Sequence, residues 1–338
     1  MRKGLSIITT LAVISLITAC NNKLNVLAPY KNITVVYGLM DQNDTAHYIR
    51  VNKAFQGSGN AYTMASQFDS VYYPANQLLV QLLCINSQGN QTGTINLTAD
   101  SSIPLPAGTF PYPKQILYKT KTKLSQLDNF GGNNTYELVV TNKKTNQVLT
   151  GSTQLLTDVS FSRGINAVGT PFDIDSSVAT PSSLQWASTF GARIYQLTIR
   201  FWYYQKTATA SGEQYLDWVF APETANTLQG GETMEYTYNQ EGFYQLLKTT
   251  VPIIPGVYRK ADSMSVIFTS GSDDFNTYIQ LSQPSLGIDQ DPPSFSDVKN
   301  GIGIFTARHT QIMTRQVDNQ IYNNLVNNPD FTQYGFQN

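Results

Sequence analysis

The residue most clearly placed to undergo chemistry is Cys20. It closes the run Ile17-Thr18-Ala19-Cys20, which follows Arg2, Lys3 and an apolar stretch from Leu5 to Ile17. A basic start, a short apolar core and small residues before a cleavage point make the tripartite layout of a secretory signal. The apolar run falls short of the roughly 20 residues that a membrane-spanning helix needs. A cysteine at the cleavage point is the mark of bacterial lipoproteins, in which the thiol is acylated and the cysteine becomes the first mature residue. Residues 1–19 are therefore expected to be a lipoprotein signal peptide, with Cys20 lipidated. At about 0.8 kcal/mol per buried CH₂, two or three acyl chains hold a protein stably on a membrane.

Other reactive residue types are scattered. His47 and His309 are far apart, and no Cys or His cluster has zinc spacing. Asp41, Asn43 and Asp44, the pair Asp173 and Asp175, and the pair Asp289 and Asp291 lack the loop length, glycine and distal Glu of a calcium loop. No metal is expected. There is no Gly-x-Ser-x-Gly elbow and no phosphate-binding glycine loop, so no cofactor is expected. Ser296 and Lys299 have Ser-x-x-Lys spacing, but they precede a glycine-flanked strand, where residues three apart point to opposite faces. Glu213, Asp217, Glu232 and Glu235 are acidic residues on strands with no glycosidase motif around them. With Cys20 acylated, Cys84 has no disulfide partner, and its apolar surroundings read as core.

Aromatic residues offer a recognition chemistry. The chain has 20 tyrosines. Arg200, Trp202 and Tyr204 share the more polar face of one strand, where flat rings beside hydrogen-bonding groups suit a sugar or a peptide. Packing between domains is the competing explanation. Thr45, Ser70 and Ser263 each follow Asp and precede an apolar residue, a short pattern associated with O-glycosylation in Bacteroidota. It has meaning only on exposed loops.

These residues need elements to hold them, and the elements are mainly strands. From residue 32 the pattern has period two. Strands are expected at Ile33 to Leu39, Tyr48 to Phe55, Leu78 to Ile85, Thr92 to Leu97, Gln115 to Leu124, Tyr136 to Thr141 and Gln147 to Leu156. Their spacing suggests an immunoglobulin-like β-sandwich over 32–156. Residues 20–31 read as a lipidated tether. Residues 157–182, punctuated by Gly and Pro, read as a linker. A β-rich α+β domain is expected over 183–338. Its longest strand is Ala192 to Gln205, with others at Gln214 to Phe220, Gly231 to Tyr238, Ser263 to Thr269 and Asn300 to Phe305. Helices are expected from Asn239 to Thr250, Asp273 to Gln283 and Gln311 to Asn324. Charged residues are only 13 % of the chain, with no basic stripe, which argues against a nucleic-acid partner.

Three stretches carry a resemblance. They are Thr34-Val35-Val36-Tyr37-Gly38-Leu39-Met40-Asp41, Phe68-Asp69-Ser70-Val71-Tyr72-Tyr73-Pro74, and the run from Pro293 to Phe305 that ends in Gly301-Ile302-Gly303-Ile304-Phe305. With the lipobox, they resemble a family of Bacteroidota outer-membrane lipoproteins known only as a domain of unknown function and typically encoded beside TonB-dependent receptors. The resemblance implies an envelope location and a receptor partner, and no reaction. Surface-exported lipoproteins of that phylum usually carry acidic residues after the cysteine. Asn21, Asn22 and Lys23 stand there instead, which favours the periplasmic side over the cell surface.

The chain is thus expected to be a non-enzymatic envelope lipoprotein serving an outer-membrane receptor. The alternatives are a surface module that captures glycan or peptide, and a hydrolase with an unrecognised site, which would need carboxylates converging in a pocket.

Overall fold

The computed structural model describes residues 33–54, 60–74, 76–124, 134–165, 171–172, 174, 179–282 and 295–337. The stretches expected to be a signal peptide and a tether, Cys20, Asp173, Asp175, Asp289 and Asp291 lie outside them. The protein is mainly β, built on one large mixed sheet.

The strands are β1 (Thr34–Met40), β2 (His47–Lys53), β3 (Leu78–Ile85), β4 (Gln91–Asp100), β5 (Leu117–Thr120), β6 (Thr135–Asn142), β7 (Val148–Gln154), β8 (Ser160–Arg163), β9 (Ser182–Ala187), β10 (Ala192–Lys206), β11 (Ser211–Val219), β12 (Glu223–Thr224), β13 (Thr233–Tyr238), β14 (Tyr258–Ser272) and β15 (Ile302–Gln316). The helices are α1 (Ala61–Ala65), α2 (Phe68–Val71), α3 (Gln240–Thr250), α4 (Asp273–Leu281), α5 (Asn319–Asn327) and α6 (Pro329–Thr332). The large sheet runs β11-β10-β14-β15-β1-β2-β5-β4-β3-β6-β7, with β12 beside β10, while β13-β9-β8 form a second small sheet. Within the large sheet β1 pairs with β15 in parallel.

Two cores lie along this sheet. The first gathers Val36, Ile49, Val80, Leu82, Cys84, Tyr136 and Leu138 with Val298 and Phe305. The second gathers Trp186, Tyr195, Leu197, Phe201, Val266, Phe268 and Phe243 with Ala307. Trp186 of the small sheet packs edge-on to Phe268 at 4.8 Å and stacks on Tyr236 at 5.1 Å. Phe305 and Ala307 are successive inward positions of β15, so one strand belongs to both cores.

The expected helix from Gln311 to Asn324 is corrected by the structure. Residues up to Gln316 continue β15, and the helix is α5, from Asn319. The cause is tertiary. β14 offers an unbroken ladder from Gly271 to Ser263, which pairs with Arg308 to Gln316 and overrides local preference. The short strand expected at Ser263 to Thr269 extends to all of β14 through its ladder with β10, which runs from Tyr258 to Ser272. The strand expected at Gln115 to Leu124 shrinks to β5.

A segment ahead of β15 reaches the last strand of the sheet. Lys299 and Thr150 exchange backbone hydrogen bonds (2.7 and 3.3 Å), an isolated bridge on the outer edge of β7. Asp297 accepts the Phe305 amide on both carboxylate oxygens, at 2.9 and 3.1 Å. Gly303 sits at φ +120°, and a Cβ there would lie 1.9 Å from the Val36 carbonyl oxygen. Only glycine permits the β1–β15 approach at this point.

The C-terminal segment is held by Arg259, which is 0 % exposed. Its guanidinium donates to the Tyr334 carbonyl at 2.5 Å, the Pro252 carbonyl at 2.9 Å and Gln205 Oε1 at 2.8 Å, with no carboxylate in the set.

Gly303→Ala is expected to cost more than about 3 kcal/mol, combining backbone strain with a steric clash. Gly108→Ala, in open space, is expected to fall within about 0.5 kcal/mol of the parent. Urea denaturation midpoints read the contrast, and equal midpoints for the two variants would refute the role given to Gly303.

Candidate functional site

Strands β11, β10, β14 and β15 turn one face to the second core and the other outward. The outward residues form rows across the sheet, set by the register of the ladders. One row is Val219, Thr198, Ile267, Ile312; the next is Asp217, Arg200, Ser265, Thr314; the third is Tyr215, Trp202, Ser263, Gln316. Helix α4 covers one end of this face, with Phe275 against Gly271. Past the helix, Tyr215 (54 % exposed), Val219, Ile312 and Tyr204 are open to solvent. Val219 and Ile312 stand on opposite strands of the first row, and Tyr215 and Tyr204 lie beyond the polar row of Asp217, Arg200, Ser265 and Thr314.

The expected trio Arg200, Trp202 and Tyr204 lies on this face. Arg200 is committed to its neighbours. It makes a bidentate pair with Asp217 at 2.6 and 2.8 Å, and its guanidinium lies 4.0 Å from the centre of the Tyr215 ring. Trp202 is half-buried, its ring 5.2 Å from that of Tyr215, and its indole N–H donates to Ser265 Oγ at 3.0 Å. Ser265 in turn shares a hydrogen bond with Thr314 at 2.8 Å. The polar groups beneath the rings are therefore fixed by one another, and Tyr215 and Tyr204 stand above a rigid base. Such preorganisation lowers the entropic cost of binding. Sequence reading missed Tyr215. The hairpin register, which sets Tyr215 opposite Trp202 across the turn at Thr207 to Ala210, was the signal that could have found it.

The acidic candidates do not converge. Asp217 serves Arg200, Glu232 accepts the Asn226 and Thr227 amides at 2.7 and 3.3 Å, and Glu213 and Glu235 are exposed on separate sheets. Ser296 and Lys299 are exposed on either side of buried Val298. Asp297 is pushed up to about 6 by burial, with the charge of Asp274 adding to the shift; Asp274 is itself raised by burial and by Asp273. Both Asp297 oxygens are spent on the Phe305 amide. Among the described residues no three His, Cys, Asp or Glu side chains are grouped to hold a metal ion. Thr45 is exposed in a turn, Ser70 is half-buried in α2, and Ser263 donates to Asp262 from within β14.

The structure also unites residues that sequence kept apart. His309, 1 % exposed, lies between two carboxylates: Nδ1 is 3.2 Å from Asp41 and Nε2 2.6 Å from Asp158. Asp41 follows the last residue of β1 and also accepts the amides of Asn43 and Thr310, both at 3.0 Å. Burial would drive the His309 imidazole toward neutrality, but hydrogen bonds and charge from Asp41 and Asp158 outweigh it, and its pKa is raised. Burial opposes ionisation of Asp41, yet the bond to His309 and the backbone amides overcome it, and its pKa is lowered. Nearby His47, equally buried, has no partner among the described residues on either ring nitrogen; burial lowers its pKa despite the charges of Asp44 and Asp41. With both nitrogens of His309 engaged by carboxylates, the group is an ion-paired seam between the two halves and has no nitrogen free to act as a base.

Comparison with protein-family models and with curated proteins finds no match to this chain.

The seam predicts a pH dependence. His309 is raised above 6.5, so its contribution is complete below pH 6.5 and is lost as pH rises through the raised value. Asp41 is lowered below 3.8, so its contribution is complete above pH 3.8 and is lost as pH falls through the lowered value. The melting-temperature advantage of the parent over His309→Gln, in which the shifts of Asp297, Asp274 and His47 within the same interval cancel, should be level between those two pH values and shrink on both sides. An advantage that stays undiminished on the alkaline side would contradict the seam.

Proposed function

We propose that this chain is a non-enzymatic, lipid-anchored binding protein of the bacterial outer membrane that serves a TonB-dependent receptor. Its recognition surface is the outward face of β11, β10, β14 and β15. The carrying observation is exposed Tyr215 against half-buried Trp202, over an internally satisfied hydroxyl base. The lipobox at Cys20 and the resemblance of the three sequence stretches support the location and the kind of partner. In this reading the first half acts as an immunoglobulin-like sandwich that carries the face clear of its anchor. Anchoring raises the local concentration of that face beside a receptor in the same membrane.

A second reading takes the same face as a glycan- or peptide-capturing platform. The observation that favours it is the mixture of exposed rings with the exposed polar side chains Thr314 and Gln316, the chemistry of sugar recognition.

The lipidated protein is to be purified from detergent-solubilised outer membranes and its companions identified by mass spectrometry. A stoichiometric TonB-dependent receptor is expected. The surface variant Tyr204→Ser/Tyr215→Ser/Ile312→Ser should lose it at least tenfold. All three side chains are exposed, so the melting temperature should stay close to that of the parent. Recovery of the parent protein alone would overturn the receptor reading, and undiminished capture by the variant would remove this face from it.

A further inference from the structure

We propose a second contact surface, at which the loop 101–114 and helices α1 and α2 rest on the membrane interface. The inference rests on the reading of Cys20 as the lipid anchor.

The loop carries Pro104, Pro106, Pro111 and Pro113 and no acidic residue. Its neck is closed by the Leu105 amide donating to the Pro113 carbonyl at 2.8 Å and by buried Gln115 donating to the Ile103 carbonyl at 3.2 Å. Proline fixes the backbone, so the tip keeps its form without a core of its own. At that tip Phe110 is 52 % and Tyr112 58 % exposed. They line a cleft of about 510 Å³ with Phe68, Pro111 and Lys114. Tyr62, one turn before the cleft residue Ser66, is 74 % exposed. Lys114 Nζ lies 5.0 Å from the Phe68 ring centre. Aromatic side chains with an adjacent lysine suit the headgroup level of a bilayer; the acids beside them are Asp69 on α2 and Asp100 at the neck, where Asp100 accepts the Ser102 amide and pairs with Lys119.

The position of the chain's lipid-proximal end selects a bilayer over a soluble ligand. The described chain begins at Ile33, whose carbonyl accepts the Ala54 amide at 2.8 Å. Its neighbour Thr34 shares a hydrogen bond with Tyr73 at 2.9 Å. Adjacent Tyr72 bridges to Asn52 and stacks on Phe68 at 4.7 Å. Phe68 lines the aromatic cleft. The start of β1 and the aromatic loop therefore share one side of the molecule. Residues 20–31, at about 3.5 Å per residue when fully extended, keep that side within roughly 40 Å of the acyl chains.

The test uses the full lipidated chain carrying Ala107→Cys, spin-labelled and bound to vesicles of phosphatidylethanolamine and phosphatidylglycerol. Cys84 is fully buried and escapes labelling. Relaxation by oxygen is expected to exceed relaxation by a water-soluble nickel chelate. A label at Thr209→Cys, in the turn between β10 and β11, should show the reverse. Adding Phe110→Ser/Tyr112→Ser to the Ala107→Cys chain should return its label to water. A label at residue 107 that is water-exposed in the parent overturns the proposal, and leaves the loop to a soluble glycan or peptide. The mass of the N-terminal peptide is read on the same preparation. If Cys20 carries no acyl group, the anchor reading fails by itself. The loop is then judged by flotation of that chain with the same vesicles: co-flotation that the double serine variant abolishes upholds it, and absence of co-flotation overturns it.

Discussion

The structure depends on β15 lying between β14 and β1. This strand supplies Phe305 to one core and Ala307 to the other, and it joins the two halves by an antiparallel ladder on one side and a parallel ladder on the other. Its approach to β1 is limited by a single atom, the Cβ that Gly303 does not have. The segment before it forms an isolated bridge between Lys299 and Thr150, which interrupts the outer edge of β7. The partners of this arrangement are distant in sequence: His309 and Asp41 are 268 residues apart. Such long-range contacts must offset a large loop-closure entropy and favour slow, late assembly.

Much of the strand content was legible because a half-buried strand alternates. Tyr136 to Thr141 and Ala192 to Gln205 show this directly, Leu78 to Ile85 was legible as an almost continuously apolar run, and all three are strands with alternate residues buried. Helix α3 was legible from its ends: the Asn239 side chain accepts the Gly242 amide at 3.0 Å as a cap, and Pro252 follows the last turn. The far half of β15 was not legible. Ile312, Met313 and Val317 fit a helical stripe as well as a strand, and only the ladder on β14 decides between them. The candidate face was half legible. Alternation put Arg200, Trp202 and Tyr204 together, but the commitment of Arg200 to Asp217 needs the register of β11. The His309 seam left no local trace, because neither aspartate is near it in sequence.

The aromatic face and the aromatic loop differ in how they are supported. Trp202 and Tyr215 stand on a sheet whose opposite side is a packed core, and their polar neighbours bond to one another. Phe110 and Tyr112 stand on a loop stiffened by proline and closed at its neck. Both arrangements hold large rings in the open without much freedom to lose, which is the property that makes exposed aromatic residues effective in recognition.

Two locks of different electrical character join the parts of the molecule. The seam at His309 pairs a titratable cation with two titratable anions. Arg259 is held by carbonyl oxygens and an amide, and burial lowers its pKa without bringing an arginine near the range in which proteins lose its charge. Its grip on the C-terminal segment therefore takes no part in proton exchange with the surroundings. Acid or alkali loosens the joint between the halves while the clamp inside the second half keeps its full charge. The protein thus separates the connection that the medium can modulate from the one that it cannot.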